Sequence, residues 1–214
     1  MSRNLTAERR DMVETQLRSR GLVDERVLRV MAEIPREEFV CSDDRDVAYA
    51  DGAFPIGYGQ TISQPYTVAC MCEAANLQPG DRVLDVGTGS GYGAAVLSRL
   101  AGVVHSVEYI PKLARAAAQR LQRLGYANVT VHVGDGSCGW PEQAPFDVIV
   151  VAAAAPQLPQ DYVEQLAEGG RIVIPIGSRR RGQELMRYLR NGPEIVAENL
   201  GSFSFVPLVG EHGA

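Results

Sequence analysis

VLDVGTGSGYG, residues 83–93, decides the fold of this 214-residue chain. Val83 to Val86 are mostly apolar and read as a buried strand. Gly87, Gly89 and Gly91 follow at alternate positions, and AAVLSRL (94–100) reads as the start of a helix. A strand running into a glycine-rich turn at a helix N-terminus is where α/β proteins hold an adenosine-containing ligand. Outward from this turn, residues 101–125 supply a second strand, Val103 to Val107, and a helix with Pro111 near its start and Gly125 just past its end. A third strand, Val129–Val133, ends in Gly134-Asp135-Gly136. FDVIVVAAAAP (146–156) is a fourth buried strand followed by small residues, and LAEGGRIVIPIG (166–177) reads as a helix end, a Gly-Gly turn and a fifth strand. ELMRYLR (184–190) and NLGSFSFVPLVG (199–210) read as closing strands with no helix between them, so an antiparallel pair is expected. The expected architecture is one α/β domain over 1–214 with a doubly wound, mostly parallel sheet. Residues 79–214 form the cofactor-binding sheet with its antiparallel C-terminal strand, and residues 1–78 form a region of helices and a substrate loop.

The glycine spacing narrows the ligand. A dinucleotide fingerprint needs Gly or Ala three residues after its second glycine, and that position is Tyr92. What remains is Asp-x-Gly-x-Gly-x-Gly from Asp85, the pattern of S-adenosylmethionine-dependent methyltransferases. That cofactor has no phosphate, so the glycines serve close backbone approach and positive φ, not anion binding. Asp85, at the strand end, can accept from the cofactor ammonium or from a bridging water. Glu108 lies 21 residues after Gly87 at the tip of the neighbouring strand, where a carboxylate can take both ribose hydroxyls. Asp135, between two glycines, suits the adenine amino group or closes the pocket wall. The candidate cofactor set is therefore Asp85, Gly87, Thr88, Gly89, Gly91, Glu108, Asp135 and Gly136.

A net charge of −5 argues against a general nucleic-acid binder. The basic run Arg179-Arg180-Arg181 reads as a solvated turn. No apolar run reaches membrane-spanning length and no signal peptide is visible, so a soluble, cytoplasmic protein is expected, with no membrane partner. Cys41, Cys70, Cys72 and Cys138 form no CxxC pair, and with three histidines no zinc spacing emerges, so no metal is expected. Before the glycine turn, Thr6 is placed to cap a helix running to about Arg20. Asp24-Glu25 opens a second helix with Val27, Leu28 and Met31 on its apolar face. GYGQTISQPYTVACMCEAANL (57–77) begins as a polar loop and ends as a helix. Ser63 stands at an N-cap position, with Pro65 just inside. The same loop could also line the cofactor mouth, with Ser63 facing the substrate.

GYGQTISQPYTVA (57–69), VLDVGTGSGYGAAVLSRL (83–100), HSVEYIPKLA (105–114), VGDG (133–136), FDVIVVAAAAP (146–156), LAEGGRIVIPIG (166–177) and FVPLVG (205–210) together resemble the protein-L-isoaspartate O-methyltransferase family. The resemblance runs in order over nearly the whole chain, including RGLVDERVLRVMAEIPREEFV (20–40). The glycine turn is shared by many methyltransferases, whereas the TISQP loop and the FVPL ending are far more specific. Departures are small: Tyr58 stands where the family often has His, Gly93 where Gln is common, and Ala152 where Thr is common. The resemblance implies S-adenosylmethionine as cofactor and the α-carboxylate of an isoaspartyl residue in a damaged protein or peptide as substrate. It assigns the catalytic role to Ser63 and the cofactor site to the glycine turn, Glu108 and Asp135-Gly136. Substrate contacts are expected from Thr61, Ile62, Gln64 and Val206, with the polypeptide held extended along residues 57–64 and 205–208. A carboxylate with pKa near 4 is already ionised at pH 7, so no general base is required. A monomer is expected. The alternatives are another carboxyl or small-molecule methyltransferase on this fold and a non-catalytic cofactor-binding protein. A nicotinamide oxidoreductase is disfavoured by Tyr92.

Overall fold

The computed structural model describes residues 4–213. Asn4, whose side chain accepts from Ala7 N–H at 3.1 Å, caps α1 (Leu5–Met12), so the first helix starts one residue before the expected Thr6 cap. It continues as a widened turn, Val13–Leu17, and a tight one, Arg18–Arg20, ending at Gly21 with φ +92°. The widened turn keeps Met12, Val13 and Leu17 all buried. Asp24 caps α2 (Glu25–Glu33), as its carboxylate accepts from Arg26 N–H at 2.8 Å.

The polar loop is more ordered than its sequence suggests. β1 (Phe54–Gly57) and β2 (Gln60–Ile62) pair as a small antiparallel hairpin turned by Tyr58 and Gly59, both at positive φ. Helix α3 (Pro65–Ala75) follows with Pro65 in its first turn. Its N-cap residue is Gln64, not Ser63, and Gln64 makes no side-chain capping bond. Proline at the first helical position already removes one unpaired N–H, and the Gln64 carbonyl accepts from Val68 N–H at 3.2 Å. The capping expectation for Ser63 is thereby corrected.

The main sheet has seven strands: β3 (Arg82–Val86), β4 (Val103–Glu108), β5 (Val129–Val133), β6 (Phe146–Val151), β7 (Leu166–Ser178), β8 (Gly182–Asn191) and β9 (Glu194–Ser202). Their spatial order is β5-β4-β3-β6-β7-β8-β9. β5 through β7 are mutually parallel, and β8 and β9 add antiparallel at one edge. Helices α4 (Tyr92–Leu100), α5 (Pro111–Arg123) and α6 (Gln160–Glu164) connect the parallel strands. Period-two alternation divides the core between the two faces of the sheet. Val83, Val148, Val150 and Val173 pack with α2, α3 and α4, whereas Leu84, Val86, Ile149, Val151, Ile172 and Ile174 pack with Tyr162 and Leu208.

Two strand readings need correction. Residues 166–170 are strand, not helix end and turn, and the register with β6 slips between Phe146 and Val148, where Gly169 at φ +71° absorbs the irregularity. The last strand ends at Ser202, not Gly210. Beyond it the chain leaves the sheet and returns across the strand ends. There Ala154 N–H donates to the Val206 carbonyl and Leu208 N–H to the Ala154 carbonyl, each at 2.8 Å. Pro207, which has no N–H, sits between those two bonds. The chain runs from β3 outward through β4 and β5, then returns to β6 on the other side of β3. The strand order therefore reverses at β3 and β6, and the crevice at their C-terminal ends is where such sheets bind ligands.

Candidate active site

The pocket in that crevice is built from the glycine turn upward. Gly87, Gly89 and Gly91 have φ of +93°, +53° and +90°, a conformation costly for other residues. A Cβ on Gly89 would lie 3.1 Å from the Ile56 side chain, and one on Gly91 would lie 3.3 Å from Leu121. The turn is held by the neighbouring strand: Gly87 N–H donates to the Val107 carbonyl at 2.9 Å. Glu108 closes the arrangement. One carboxylate oxygen accepts from Gly89 N–H at 2.8 Å and the other from Ile110 N–H at 2.9 Å. Asp85 is buried beneath, accepting from the Ser106 hydroxyl at 2.6 Å, and that hydroxyl lies 2.5 Å from Thr88 Oγ1. Burial pushes the Asp85 carboxyl up to about 6; the Ser106 hydrogen bond opposes the shift and the Glu108 charge adds to it.

The electrostatics of this pocket are one-sided. Among the described residues, its walls carry Asp85 and Glu108 and no Lys, Arg or His. Among the described residues, neither carboxylate has an ion-pair partner. Such a site favours a cationic ligand with hydroxyl groups and disfavours a pyrophosphate. Apolar walls come from Met71, Leu97, Val150 and Leu208, and small residues Ala152 and Ala153 leave space at the end of β6.

Ser63 stands at the mouth. It is half-buried and, among the described residues, no group hydrogen-bonds its hydroxyl. With Thr61, Ala152 and Val206 it lines both the pocket and a second, open groove. That groove continues between Arg20, Asp51 and Tyr66 on one side and residues 200–206 on the other. The Tyr66 and Phe203 rings, both in its wall, stack with centres 6.4 Å apart, and the Arg20 guanidinium lies 5.0 Å from the Tyr66 ring centre. Gln64 is in the groove wall with its amide donating to Asp51 at 2.6 Å. Ile62 is 4% exposed and faces the pocket, not the groove.

The structure thus brings Asp85, Gly87, Thr88, Gly89, Glu108, Gly136, Thr61, Ile62, Ser63 and Val206 to one pocket. Gly91 supports it as the N-cap of α4. Asp135 stands apart from the pocket walls. Its carboxylate accepts from Ser137 N–H at 2.9 Å, the Ser137 hydroxyl at 2.6 Å and Glu211 N–H at 2.8 Å. Burial by itself would raise the Asp135 carboxyl, but these bonds leave it below the ordinary value. Only Gly136 of the pair reaches the pocket, where a Cβ would lie 2.7 Å from Val86. Sequence reading missed Ser106, which orients Asp85, and the groove residues Arg20, Asp51, Tyr66 and Phe203. Ser106 carried a usable signal, a hydroxyl on β4 in register with Asp85.

A switch-point crevice with a glycine turn and, among the described residues, two acids without an ion-pair partner and no basic residue defines an α/β protein of the S-adenosylmethionine-dependent methyltransferase class. A family model described as protein-L-isoaspartate(D-aspartate) O-methyltransferase matches residues 7–213. The chain belongs to the protein-L-isoaspartate O-methyltransferase family. It is 53% identical to a protein-L-isoaspartate O-methyltransferase of Protochlamydia amoebophila, over 94% of this chain and 97% of that protein. It is 54% identical to one of Roseiflexus castenholzii, over 98% and 95% respectively. A solved protein-L-isoaspartate O-methyltransferase superposes with TM-score 0.84 at 35% identity, over 95% of this chain and 66% of that longer one. A beta-aspartate methyltransferase structure from Plasmodium falciparum, in complex with S-adenosyl-L-homocysteine, superposes with TM-score 0.81 at 26% identity, over 94% of this chain and 98% of that one.

Proposed function

We propose the following division of labour for this chain as a protein-L-isoaspartate O-methyltransferase. The enzyme is S-adenosylmethionine-dependent, and its substrates are isoaspartyl residues of damaged proteins and peptides. When bound, S-adenosylmethionine supplies a methyl group activated by its sulfonium charge, for transfer to the isoaspartyl α-carboxylate. The observation that carries this reading is the pocket chemistry: two acids without counter-charge at the glycine turn of a switch-point crevice. Asp85 and Glu108 hold the cationic and hydroxyl-bearing parts of the cofactor, while the glycine turn lets its backbone lie close. The substrate carboxylate is ionised at neutral pH, so no residue needs to remove a proton. Catalysis then rests on alignment and water exclusion.

Ser63 sits where pocket and groove meet and carries a free hydroxyl, and it donates a hydrogen bond to the incoming carboxylate and orients it. Thr61 and Val206 share that junction and flank the reacting carboxylate. Gln64 acts through the groove wall, where it fixes Asp51, and Ile62 packs beneath. The open groove gives an extended polypeptide room on both sides, which suits loose selectivity for flanking side chains. Asp135 shapes the pocket indirectly, by anchoring the segment that carries Leu208 and Val209. The continuity of the core from Met12 to Phe205 supports a single folding unit with cofactor and substrate regions at 79–214 and 1–78. Among the described residues no helix is long and apolar enough to cross a membrane. The four cysteines are free, which fits a reducing, cytoplasmic setting.

The test is transfer of radiolabelled methyl to a pair of peptides differing only in an isoaspartyl or aspartyl linkage. Labelling confined to the isoaspartyl peptide, as a base-labile ester, is expected. Equal labelling of both peptides, or base-stable product, refutes the reading.

A further inference from the structure

The C-terminal tail crosses the end of the sheet and places three side chains of different chemistry together. Cys138 follows β5, Asp161 lies in α6 and His212 is on the tail, yet their ligating atoms all lie within 4.8 Å of one another. His212 Nε2 is 2.7 Å from an Asp161 oxygen, and Glu211 brings a further carboxylate 3.8 Å from Cys138 Sγ. With Asp135 close by, three carboxylates and a thiol surround one imidazole. Among the described residues no Lys or Arg pairs with Asp135, Asp161 or Glu211, so the negative charge is left to His212 alone.

The tail is seated by its backbone. Glu211 N–H donates to Asp135 at 2.8 Å and His212 N–H to the Ser137 hydroxyl at 3.1 Å. Gly210 passes so near Asp135 that a Cβ would collide with its carboxylate. The preceding residues Leu208 and Val209 form part of the cofactor-pocket wall.

We propose that Cys138, Asp161 and His212, with Glu211 beside them, bind a zinc-type divalent cation that clasps the tail over the pocket wall. The donor set is sulfur, nitrogen and carboxylate oxygen, the ligand types that tetrahedral zinc takes at about 2.0–2.3 Å. The donor atoms lie within 4.8 Å of one another, so reaching that spacing requires side-chain adjustment at the exposed His212 and the half-buried Asp161. Binding requires the thiolate and the neutral imidazole, so Cys138 releases its proton to solvent as the metal enters. No redox change is involved. The ligands lie 23 and 51 residues apart along the chain, a spacing with no local zinc pattern.

The probe is cobalt(II) titrated into untagged, chelator-treated full-length protein, followed by competition with zinc. One equivalent is expected to bind with an intense thiolate-to-cobalt charge-transfer band and the visible spectrum of a tetrahedral centre. Cys138→Ser should abolish the band, and His212→Ala and Asp161→Asn should each weaken binding at least about tenfold. Cys41→Ser, at an exposed cysteine elsewhere, should change nothing. All four substitutions are outside the core, and circular dichroism reports their folding. Zinc should also slow hydrogen exchange at the Glu211 and His212 amides. Absence of the band, or equal affinity in the wild type and the ligand variants, overturns the site. Unaltered exchange at those amides with zinc bound overturns the clasp.

Discussion

Replacing Glu108 by Gln separates the charge of this carboxylate from its shape. In the structure both carboxylate oxygens are engaged, one by Gly89 N–H at 2.8 Å and one by Ile110 N–H at 2.9 Å. A glutamine keeps one carbonyl acceptor but turns an NH2 group toward the other backbone N–H, leaving a half-buried donor unpaired. That loss costs about 1–3 kcal/mol of stability. The same substitution removes the charge-assisted acceptor for the cofactor's hydroxyls, worth about 1.5–3 kcal/mol, or roughly a 10- to 150-fold weaker Kd. It also removes one of the two negative charges of the pocket, so S-adenosylmethionine, with its sulfonium, should lose more affinity than S-adenosyl-L-homocysteine. Titration calorimetry with both ligands, beside melting curves of the free protein, measures all three effects. If affinity and melting temperature both stay at the wild-type values, Glu108 neither holds the turn nor binds the ligand, and the reasoning fails. Equal losses for the charged and neutral ligands would remove the electrostatic part alone.

Gly89→Val should abolish cofactor binding, since the residue is at φ +53° with Ile56 3.1 Å from a new Cβ, and normal binding by a folded variant would refute a role for the turn. Ser63 does not cap α3. Ser63→Ala should therefore change stability by no more than about 0.5 kcal/mol, yet slow isoaspartyl methylation at least about tenfold. Ser63→Asp should be slower still, because its charge repels the substrate carboxylate, and wild-type turnover in a stable Asp variant would sink the assignment. Cofactor affinity should weaken as pH falls through about 6, where Asp85 takes up a proton and loses its attraction for a cation, and an affinity flat from pH 7 to 5 would contradict this. His105 and His132 lie 3.2 Å apart, and burial holds both below the ordinary histidine value, with mutual repulsion adding to the effect on His105. Because the folded state prefers both neutral, the stability they contribute is complete above the unfolded pKa of about 6.5 and is lost as pH falls through the lowered folded values. Denaturant titrations should show a smaller loss of stability below pH 6 for His132→Phe than for the wild type.

The glycine turn, the alternating strands and the acid at the end of β4 were legible because each is a local requirement. Positive φ demands glycine at 87, 89 and 91, a buried strand demands an apolar run, and a helix start follows a turn of fixed length. The class of cofactor followed from the Asp-x-Gly-x-Gly-x-Gly spacing from Asp85, with Tyr92 excluding the dinucleotide pattern. Asp24 caps α2 as read, but the cap of the first helix and the last strand were misplaced because several residues near each boundary have similar local preference. Asn4 and Thr6 both cap well, and in the fold Asn4 takes the role through the bond from Ala7 N–H. Ser63 looked like a cap for the same reason; in the fold Gln64 takes the cap position, which leaves the Ser63 hydroxyl free at the junction of pocket and groove. Whether an acid faces a ligand is likewise a tertiary matter. Asp135 sits in the expected motif, yet Ser137 and the tail residue Glu211 occupy its oxygens, because the chain after Ser202 turns back across the strand ends instead of extending the sheet. The sequence alone determined the fold class and the cofactor turn, since hydrophobic period and backbone freedom act over a few residues. The substrate groove, the partner of each carboxylate and the meeting of Cys138, Asp161 and His212 were decided only by tertiary structure, because they join residues that the chain keeps tens of positions apart.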